Sequence, residues 1–495
     1  MRNVTRRMML AGLLGSAATG ALGQGLVTSP RPRARPMTSG RIRPVARPSL
    51  ADTIARAALG GAVGVVLADA QTGEVLDSHL PDTAVPPASV TKAVTAVYAL
   101  EALGPDHRFV TRLLATAPVV DGILDGDLIL AGGGDPNLVT DDLAALAQRM
   151  HDAGLREVRG QFLVYGAALP NLDELDQSQL DHLGYNPAIS GLNLNFNRVH
   201  FEWKRQSGNY TVTMDARSKT YRPAVTVSKM RIVDRDLPIY AYREVSERDE
   251  WSVARRALGA AGSRWLPVRQ PEIYAGEVFA TFARSHGVVL PRPKEVLTLP
   301  QTQEVARFES AALVQMMQAM LRFSTNLTAE VAGMAATQKR AGGMRGLRTS
   351  ALAFSGWVRA RTGGAPVFAD HSGLLDSTRV SASQIVTLLQ RPEVQAMLRP
   401  ILKQHTFVNE KGRALADQPG LIVAKTGTLN FVTTLAGYIT TVGGRELIFA
   451  IFAADLEARE KGKAAGDEQP FGSISFNTKA KALQQQLLRR WVQTP

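Results

Sequence analysis

Three short motifs supply the groups needed for acyl transfer through a serine nucleophile. Residues 89–92 read S-V-T-K, residues 324–326 read S-T-N, and residues 425–427 read K-T-G. In this order they match the S-x-x-K, S-x-N and K-T-G elements of acyl-serine enzymes. A serine hydroxyl needs a base to become a good nucleophile, and side chains at i and i+3 of a helix lie on one face. The spacing therefore predicts Ser89 as the nucleophile and Lys92 as its base.

The S-x-x-K and K-T-G motifs are specific, whereas the functional copy of S-x-N has to be chosen from its sequence context. S-x-x-K occurs only at Lys92, and K-T-G also occurs once. S-x-N occurs three times, the two other copies being residues 207–209 and 475–477. One of those copies lies in a turn between strand-like runs, and the other follows the K-T-G element. Ser324 and Asn326, which lie in a long stretch of helical character, are therefore the predicted functional pair.

The K-T-G segment predicts a binding site for a substrate carboxylate. Lys425 supplies a cation to such a site. Thr426 and Thr428 supply hydroxyl donors, with Gly427 between them on the same predicted strand. Lys425 is also expected to lower the pKa of Lys92, because a second nearby cation disfavours protonation of the first.

The remaining steps of the reaction need an oxyanion site and a proton relay. The backbone N–H groups of Ser89 and Thr428 are expected to stabilise the oxyanion. Ser324 is expected to relay a proton to the leaving amine, and Asn326 to hold the amide of the substrate. The predicted catalytic residues are thus Ser89, Lys92, Ser324, Asn326 and Lys425.

Hydrophobic periodicity predicts the elements that carry these motifs. A helix is expected to begin near Ser89 and to end at Gly104, because apolar residues follow a helical stripe between them. Strands are expected over residues 421–424, 433–441 and 447–452, around the K-T-G element. Helices and strands in this arrangement indicate an α+β protein.

The segment between the first two motifs is far too long for a loop in a compact domain. Residues 106–300 are therefore predicted to form one or two inserted domains, mostly of β-strands. Residues 50–105 and 301–495 are predicted to form a single discontinuous catalytic domain from the two ends of the chain.

The first 23 residues are predicted to be an export signal. Arg6 and Arg7 resemble the twin-arginine type, and the apolar stretch that follows is too short to span a bilayer comfortably. Cleavage near Gln24 would release the chain into the periplasm. An uncleaved membrane anchor is the alternative.

Positive charge is concentrated ahead of the predicted folded part. The chain has a net charge of +13, and residues 1–48 contain nine arginines and no acidic residue. Residues 24–49 are predicted to be a disordered Arg/Pro-rich linker. The linker could contact an anionic wall polymer or membrane, or act only as a solubilising spacer. Nucleic acid is not an expected partner, because the rest of the chain is only mildly basic.

The composition gives no sign of a metal or cofactor site. The chain has no cysteine, and its eight histidines lack H-E-x-x-H or comparable ligand spacing. It also lacks a G-x-x-x-x-G-K-[ST] phosphate loop. Neither a cofactor nor a metal is therefore expected, and the lack of cysteine is compatible with an oxidising periplasm.

The chain resembles the D-alanyl-D-alanine carboxypeptidase/endopeptidase family, which comprises the low-molecular-mass, class C penicillin-binding proteins of the DacB type. The resemblance covers most of residues 50–480. Beyond the catalytic elements it includes LDGDLILAGGGDPNL (124–138), GLNLNFNRV (191–199), STNLTAE (324–330), DHSGLLDSTRVSASQIVTLL (370–389) and KTGTLNFVTTLAGYI (425–439).

The resemblance implies a fold, an activity and a set of partners. The implied catalytic domain is an antiparallel sheet flanked by helices, similar to serine β-lactamases. The implied activity is removal of terminal D-Ala from peptidoglycan stem peptides, together with hydrolysis of cross-links between D-Ala and a diamino acid. β-Lactams are expected to acylate Ser89 as substrate mimics.

The chain departs from the family pattern at His371, where the family usually has glycine. An imidazole at this position could narrow the cleft or titrate near neutral pH, or it could belong to a surface loop. Asp370 is expected to brace the chain locally. Two other functions stay open at the sequence level: a β-lactam hydrolase on the same fold, and a non-catalytic wall-binding protein.

Overall fold

The computed structural model describes residues 48–246, 248–409 and 412–495. The predicted export signal and nearly all of the predicted linker lie outside these residues. Within the described part of the chain, no helix is both long and apolar enough to cross a membrane.

The helices of the described residues fall mainly in the two end portions of the chain. They are α1 (Leu50–Arg56), α2 (Thr91–Leu103), α3 (Thr140–Asp152), α4 (Pro271–Ser285), α5 (Leu313–Phe323), α6 (Asn326–Ala341), α7 (Leu347–Thr362), α8 (Ala382–Leu389), α9 (Pro392–Leu398), α10 (Leu456–Ala464) and α11 (Ser473–Trp491). The predicted helix after Ser89 is confirmed as α2, which one 3₁₀ turn, Ala88–Val90, precedes.

The strands of the described residues form five sheets. They are β1 (Ala62–Asp69), β2 (Val75–His79), β3 (Val110–Ala115), β4 (Val119–Val120), β5 (Ile123–Leu124), β6 (Leu128–Ala131), β7 (Glu157–Val158), β8 (Phe162–Tyr165), β9 (Arg198–Gln206), β10 (Asn209–Asp215), β11 (Ser228–Val233), β12 (Tyr240–Glu244), β13 (Asp249–Ala254), β14 (Ala261–Pro267), β15 (Lys294–Val296), β16 (Gln303–Glu309), β17 (Lys403–His405), β18 (Leu421–Leu429), β19 (Val432–Thr440) and β20 (Glu446–Ala454).

The central sheet joins the two ends of the chain. Its six strands run in the order β17-β18-β19-β20-β1-β2, and every neighbouring pair is antiparallel. β1 pairs with β20 along its whole length, from Ala62 opposite Ala454 to Asp69 opposite Leu447. Both strands are apolar and almost wholly buried, as expected when both faces of a sheet are covered by helices. The catalytic portion is therefore discontinuous in sequence and continuous in space.

Helix α2 lies at the centre of the larger hydrophobic core. Ten of its residues, Thr91 to Leu100, are buried, so it is enclosed on all sides by other elements. It packs against α6, and the same core includes residues of α5, α7 and α8 and one face of the central sheet. The opposite face of the sheet packs against α1 and α11. The N-terminal end of α2, which carries the S-x-x-K motif, is thereby held rigidly against the sheet.

The inserted segment has its own sheets and its own core. A mixed sheet in the order β15-β8-β6-β3-β16 is accompanied by three three-stranded sheets, β10-β9-β14, β11-β13-β12 and β4-β5-β7. Their inward faces and helices α3 and α4 form a second hydrophobic cluster. β16 pairs with β3, so this sheet extends beyond the predicted boundary at residue 300. Both parts combine helices with sheets, antiparallel in the catalytic portion and partly parallel in the inserted segment, and the α+β class is confirmed.

Replacement of Trp491 by alanine is expected to destabilise the catalytic portion by about 3–5 kcal/mol, the usual cost of removing a buried aromatic ring. Trp491 is 1% exposed, and its ring lies 6.0 Å from that of Phe449. Urea denaturation of the full chain, followed by circular dichroism, measures the change. Phe471→Ala is the matched control because Phe471 is fully exposed. Equal denaturation midpoints for the two variants would contradict the proposed packing of α11.

Candidate active site

The structure brings Ser89 and Lys92 into hydrogen-bond contact. Ser89 lies in the 3₁₀ turn that leads into α2, and Lys92 lies in the first turn of that helix. Nζ of Lys92 donates to Oγ of Ser89 at 3.0 Å and to the backbone carbonyl of Ser372 at 2.8 Å. Lys92 is fully buried, whereas Ser89 is partly exposed at a cleft. A nucleophile open to substrate is therefore backed by a buried amine.

Burial makes Lys92 a plausible base near neutral pH. Loss of hydration lowers the pKa of its amine to about 8, and the nearby carboxyls of Asp370 and Glu330 oppose that change. The sequence predicted burial beside a second cation, Lys425, as the cause of a lowered pKa for Lys92, and burial is the cause that the structure supports. The charge of Lys92 affects Lys425, whose pKa falls to about 7 because of burial first and because of Lys92 second.

Ser324 and Lys425 form a second serine–lysine pair. Ser324 terminates α5 with a left-handed backbone, φ 62°, and α6 begins at Asn326. The long helical stretch expected from the sequence is therefore broken at this motif. Nζ of Lys425 donates to Oγ of Ser324 at 3.0 Å and to the carbonyl of Thr426 at 2.8 Å. This break presents the Ser324 hydroxyl to the lysine of the K-T-G strand.

Asn326 connects the catalytic portion to the inserted segment. Its side-chain Nδ2 donates to the backbone carbonyl of Tyr185 at 2.7 Å. Both residues line the same cleft as Ser89. The amide oxygen of Asn326 can accept a hydrogen bond from a substrate, consistent with the role predicted for it.

The K-T-G strand presents an open edge next to the nucleophile. β17 pairs with residues Ile422–Ala424 of β18, and within the described part of the chain no strand pairs with β18 beyond Ala424 on that side. Thr426 and Thr428 are exposed and alternate with the buried Lys425 and Gly427. Thr428 lines the cleft, whereas Thr426 is not among the lining side chains of the described residues. An extended peptide could therefore add to this edge as a further strand.

Gly427 permits the close approach of β18 to the nucleophile turn. A Cβ atom at this position would lie 2.1 Å from Oγ1 of Thr434 and 2.7 Å from the carbonyl oxygen of Pro87. The Thr434 hydroxyl in turn donates to the Pro87 carbonyl at 2.7 Å. A residue with a side chain would push the strand away from the turn that carries Ser89.

These groups share one cleft of about 480 Å³. Ser89, Ser324, Asn326 and Thr428 line its floor. One wall comes from the inserted segment between Ser178 and Tyr185, and another from residues between Arg459 and Asn477. Glu468 joins these walls, because its carboxylate lies 3.4 Å from Nε2 of His182 in the inserted segment. The active site thus lies where the two parts of the chain meet.

The structure corrects the expectations for His371. Its ring is fully buried in the core, 5.0 Å from the ring of Phe354, and its Nε2 lies 2.8 Å from the hydroxyl of Ser350. It therefore neither belongs to a surface loop nor narrows the cleft. Burial also lowers its pKa to about 3, so it does not titrate near neutral pH. Gly333 makes room for this ring, because a Cβ there would lie 2.2 Å from Cγ of His371.

Glu330 was missed as a site residue. It is buried on α6 and its charge influences Lys92. Its position four residues after Asn326, on the same helical face, was the available signal. Within the described residues, no group of three or more His, Asp or Glu side chains could hold a metal ion.

Comparison with known proteins assigns the chain to a family. A family model described as D-Ala-D-Ala carboxypeptidase 3 (S13) matches residues 46–469. A D-alanyl-D-alanine carboxypeptidase of Actinomadura sp. (strain R39) is 31% identical over 447 residues, which cover 80% of this chain and 78% of that protein. The carboxypeptidase DacB of Haemophilus influenzae is 22% identical, over 81% of this chain and 88% of that protein.

Solved structures agree on the fold. Penicillin-binding protein 4 (dacB) of H. influenzae superposes with a TM-score of 0.72 at 19% identity, covering 90% of this chain and 100% of that one. A complex of that protein with a β-lactam superposes with a TM-score of 0.69 at 18% identity. The family resemblance found in the sequence is confirmed. The chain belongs to the D-Ala-D-Ala carboxypeptidase 3 (S13) family and has the fold of the penicillin-binding proteins and the activity of a carboxypeptidase.

Proposed function

We propose that the chain is an exported serine DD-peptidase that removes terminal D-Ala from peptidoglycan stem peptides through an acyl-Ser89 intermediate. It also hydrolyses cross-links between D-Ala and a diamino acid, and β-lactams acylate the same serine. The observation that carries this proposal is the 3.0 Å contact between Nζ of the buried Lys92 and Oγ of Ser89. That contact supplies a nucleophile with its base at the floor of an open cleft.

Acylation follows from the arrangement of these groups. Oγ of Ser89 attacks the carbonyl carbon of the penultimate D-Ala, and its proton passes to the neutral amine of Lys92. The oxyanion accepts hydrogen bonds from the backbone N–H groups of Ser89 and Thr428. When the C–N bond breaks, the leaving amine takes a proton through the Ser324 hydroxyl, which Lys425 contacts at 3.0 Å. Water then hydrolyses the ester and regenerates Ser89.

The same chemistry accommodates cross-links and β-lactams. A cross-link differs from a terminal D-Ala-D-Ala only in the amine that leaves, and the scissile carbonyl is the same. A β-lactam also offers a carbonyl to Ser89 and a carboxylate to Thr428 and Lys425. The H. influenzae penicillin-binding protein 4, which shares this fold, has been solved in complex with a β-lactam.

The proposed location is the periplasm, after removal of the export signal. The substrate supports this location, because peptidoglycan lies outside the cytoplasmic membrane. The six arginines of residues 24–48, unaccompanied by acidic residues, would then give the mature chain a basic N-terminal segment that contacts an anionic wall or membrane surface.

Ser89→Ala is expected to abolish formation of a covalent penicillin adduct, because among the described residues Ser89 alone places a serine hydroxyl in hydrogen-bond contact with Lys92. Mass spectrometry of the intact chain with excess benzylpenicillin measures the adduct, and peptide mapping locates it. Ser207→Ala, in the S-x-N copy outside the site, is the control and is expected to be labelled like the wild type.

Rapid turnover of benzylpenicillin without a lasting adduct would favour a β-lactam hydrolase. The absence of any labelling of the folded wild type would favour a wall-binding protein.

The same variants also separate the two peptidase activities. Release of D-Ala from a pentapeptide measures carboxypeptidase activity, and conversion of cross-linked muropeptide dimers to monomers measures endopeptidase activity. Both are expected to disappear in Ser89→Ala. A dimer that stays intact with the wild-type enzyme would refute the endopeptidase part of the proposal alone.

The pH profile of kcat/KM for D-Ala release is expected to be bell-shaped. On the acid side the rate falls because Lys92, with a pKa of about 8, becomes protonated and cannot accept the serine proton. On the alkaline side it falls because Lys425, with a pKa of about 7, loses the charge that binds the substrate carboxylate. Because the pKa of the base lies above that of the cation, the form with neutral Lys92 and charged Lys425 is a minority at every pH, and the apparent values of the two limbs belong to the pair.

Lys425→Arg tests this assignment, because a guanidinium stays charged throughout the accessible range. The alkaline fall is expected to be lost, so that the rate goes on rising until Lys92 is deprotonated, while the rates well below pH 7 stay unchanged. Lys461→Arg, at an exposed site on α10, is the control. An alkaline limb that does not move in Lys425→Arg would show that another group is responsible for it.

Gly427→Ala is expected to slow acylation roughly 100-fold or more, since a displacement of about 1 Å at a reaction centre can have an effect of this size. The added methyl group would collide with Thr434 and with the Pro87 carbonyl. The second-order rate of labelling by a fluorescent penicillin measures the loss. Gly443→Ala in the β19–β20 hairpin is the control, because the nearest atom to its Cβ is 3.8 Å away. A normal rate in Gly427→Ala would contradict the close contact described above.

A further inference from the structure

A second layer of buried ionisable groups lies behind the serine–lysine pair. Lys92, Glu330 and Asp370 are each 0% exposed. Lys92 comes from α2, Glu330 from α6 and Asp370 from the segment before α8. Burying charged groups costs free energy of folding, so a buried cluster of this kind suggests a functional role.

Asp370 builds the turn that faces Lys92. Its carboxylate accepts hydrogen bonds from the backbone N–H groups of Gly373, Leu374 and Leu375, each at 2.8 Å. The Ser372 hydroxyl also donates to it, at 3.2 Å. Three backbone donors favour the ionised form of this carboxylate, while burial acts in the opposite direction and raises its pKa. Asp370 thus braces the segment locally, as the sequence indicated.

Glu330 attaches the same turn to α6. Its Oε2 accepts the backbone N–H of His371 at 2.9 Å. On the opposite side the turn is attached to α2, because the Thr95 hydroxyl donates to the His371 carbonyl at 2.6 Å. The next carbonyl in the chain, that of Ser372, accepts from Nζ of Lys92 at 2.8 Å. Glu330 therefore holds His371, and the next residue, Ser372, provides the carbonyl that orients Lys92.

Helix α6 connects this support to the substrate side of the site. Asn326, at its first residue, lines the cleft, and Glu330 lies one turn further on the same face. A change in the position of α6 would therefore move the turn behind Lys92 as well. Among the described residues, Oε1 of Glu330 has no hydrogen-bond partner. An apolar residue of similar size would avoid the cost of burying that oxygen.

We propose that Glu330 is a positioning residue for acylation, which holds the His371–Ser372 backbone so that the Ser372 carbonyl keeps Lys92 beside Ser89. The proposal rests on the function proposed above. Glu330 acts through other groups and does not touch the substrate. Its carboxyl also lies close enough to Lys92 to affect the protonation of the base.

The ionisable groups that face Glu330 determine how the acylation rate depends on pH. Burial, and after it the charge of Asp370, raise the pKa of Glu330 to about 8, the range in which Lys92 also titrates. His371 is neutral in this range because burial lowers its pKa to about 3. Lys425 is close enough to Lys92 to respond to its charge. As Glu330 loses its proton, its negative charge favours the protonated form of Lys92 and so delays formation of the base.

Two substitutions separate the two effects. Glu330→Gln keeps an oxygen that can accept the His371 N–H but removes the charge. Its acid limb is expected to move to lower pH, with a maximal acylation rate within about threefold of the wild type. Glu330→Ala removes the acceptor, and its maximal rate is expected to fall roughly tenfold or more because the base is no longer held in place.

The experiment is the second-order rate of labelling by a fluorescent penicillin between pH 5 and pH 10, expressed per folded molecule from circular dichroism. Glu101→Gln is the matched control: Glu101 lies at the far end of α2, is partly exposed and pairs with Arg340 and Arg361. A shifted acid limb in Glu330→Gln together with a reduced maximum in Glu330→Ala supports the proposal.

Other outcomes would overturn it. A merely structural role would lower the folded fraction of both variants and leave the acid limb and the rate per folded molecule unchanged. A wild-type rate in Glu330→Ala would also refute the positioning role, although the proposed function would stand because the wild type is labelled. A folded wild type that is not labelled at any pH would refute the proposed function and this proposal together.

Discussion

The removal of the Lys92 amine from water is the constraint on which the rest of the structure depends. An exposed lysine is protonated near neutral pH and cannot take a proton from Ser89. Complete burial lowers its pKa to about 8, and hydrogen bonds to Ser89 and to the Ser372 carbonyl give the amine a fixed position. The cost of burying a charged group is offset by the carboxyls behind it. The site therefore needs a rigid and dry interior next to an open cleft.

The discontinuous catalytic portion meets that need. Its central sheet is complete only when β20, near the C-terminus, pairs with β1 near the start of the described residues. The same closure brings Lys425 on β18 to Ser324 and places Gly427 against the turn before Ser89. Because α2 is buried among helices and sheet, the S-x-x-K turn cannot shift without disturbing the whole core. Precision at the nucleophile is thus a property of the complete domain.

The inserted segment is part of the site as well as an addition to the fold. The Tyr185 carbonyl contacts Asn326, and His182 lies near Glu468 across the cleft. Arg269 supports this wall by donating to the carbonyls of Asp173 and Asn186. The loop that carries Tyr185 is therefore held by Arg269, which follows β14 of the inserted segment, and by Leu175 and Ile189, which pack in the core of the catalytic portion.

The sequence by itself determined the nucleophile helix, the K-T-G strand, the α+β class and the family, because these depend on residue spacing and local periodicity. The motifs also named the residues that the structure then brought into contact, from Ser89 to Lys425. Only the tertiary structure decided the helix break at Ser324, the burial of His371 and the place of Glu330 behind Lys92. Burial and charge–charge contact arise between segments far apart in the chain, and a local pattern carries no information about which distant group will exclude water from a side chain.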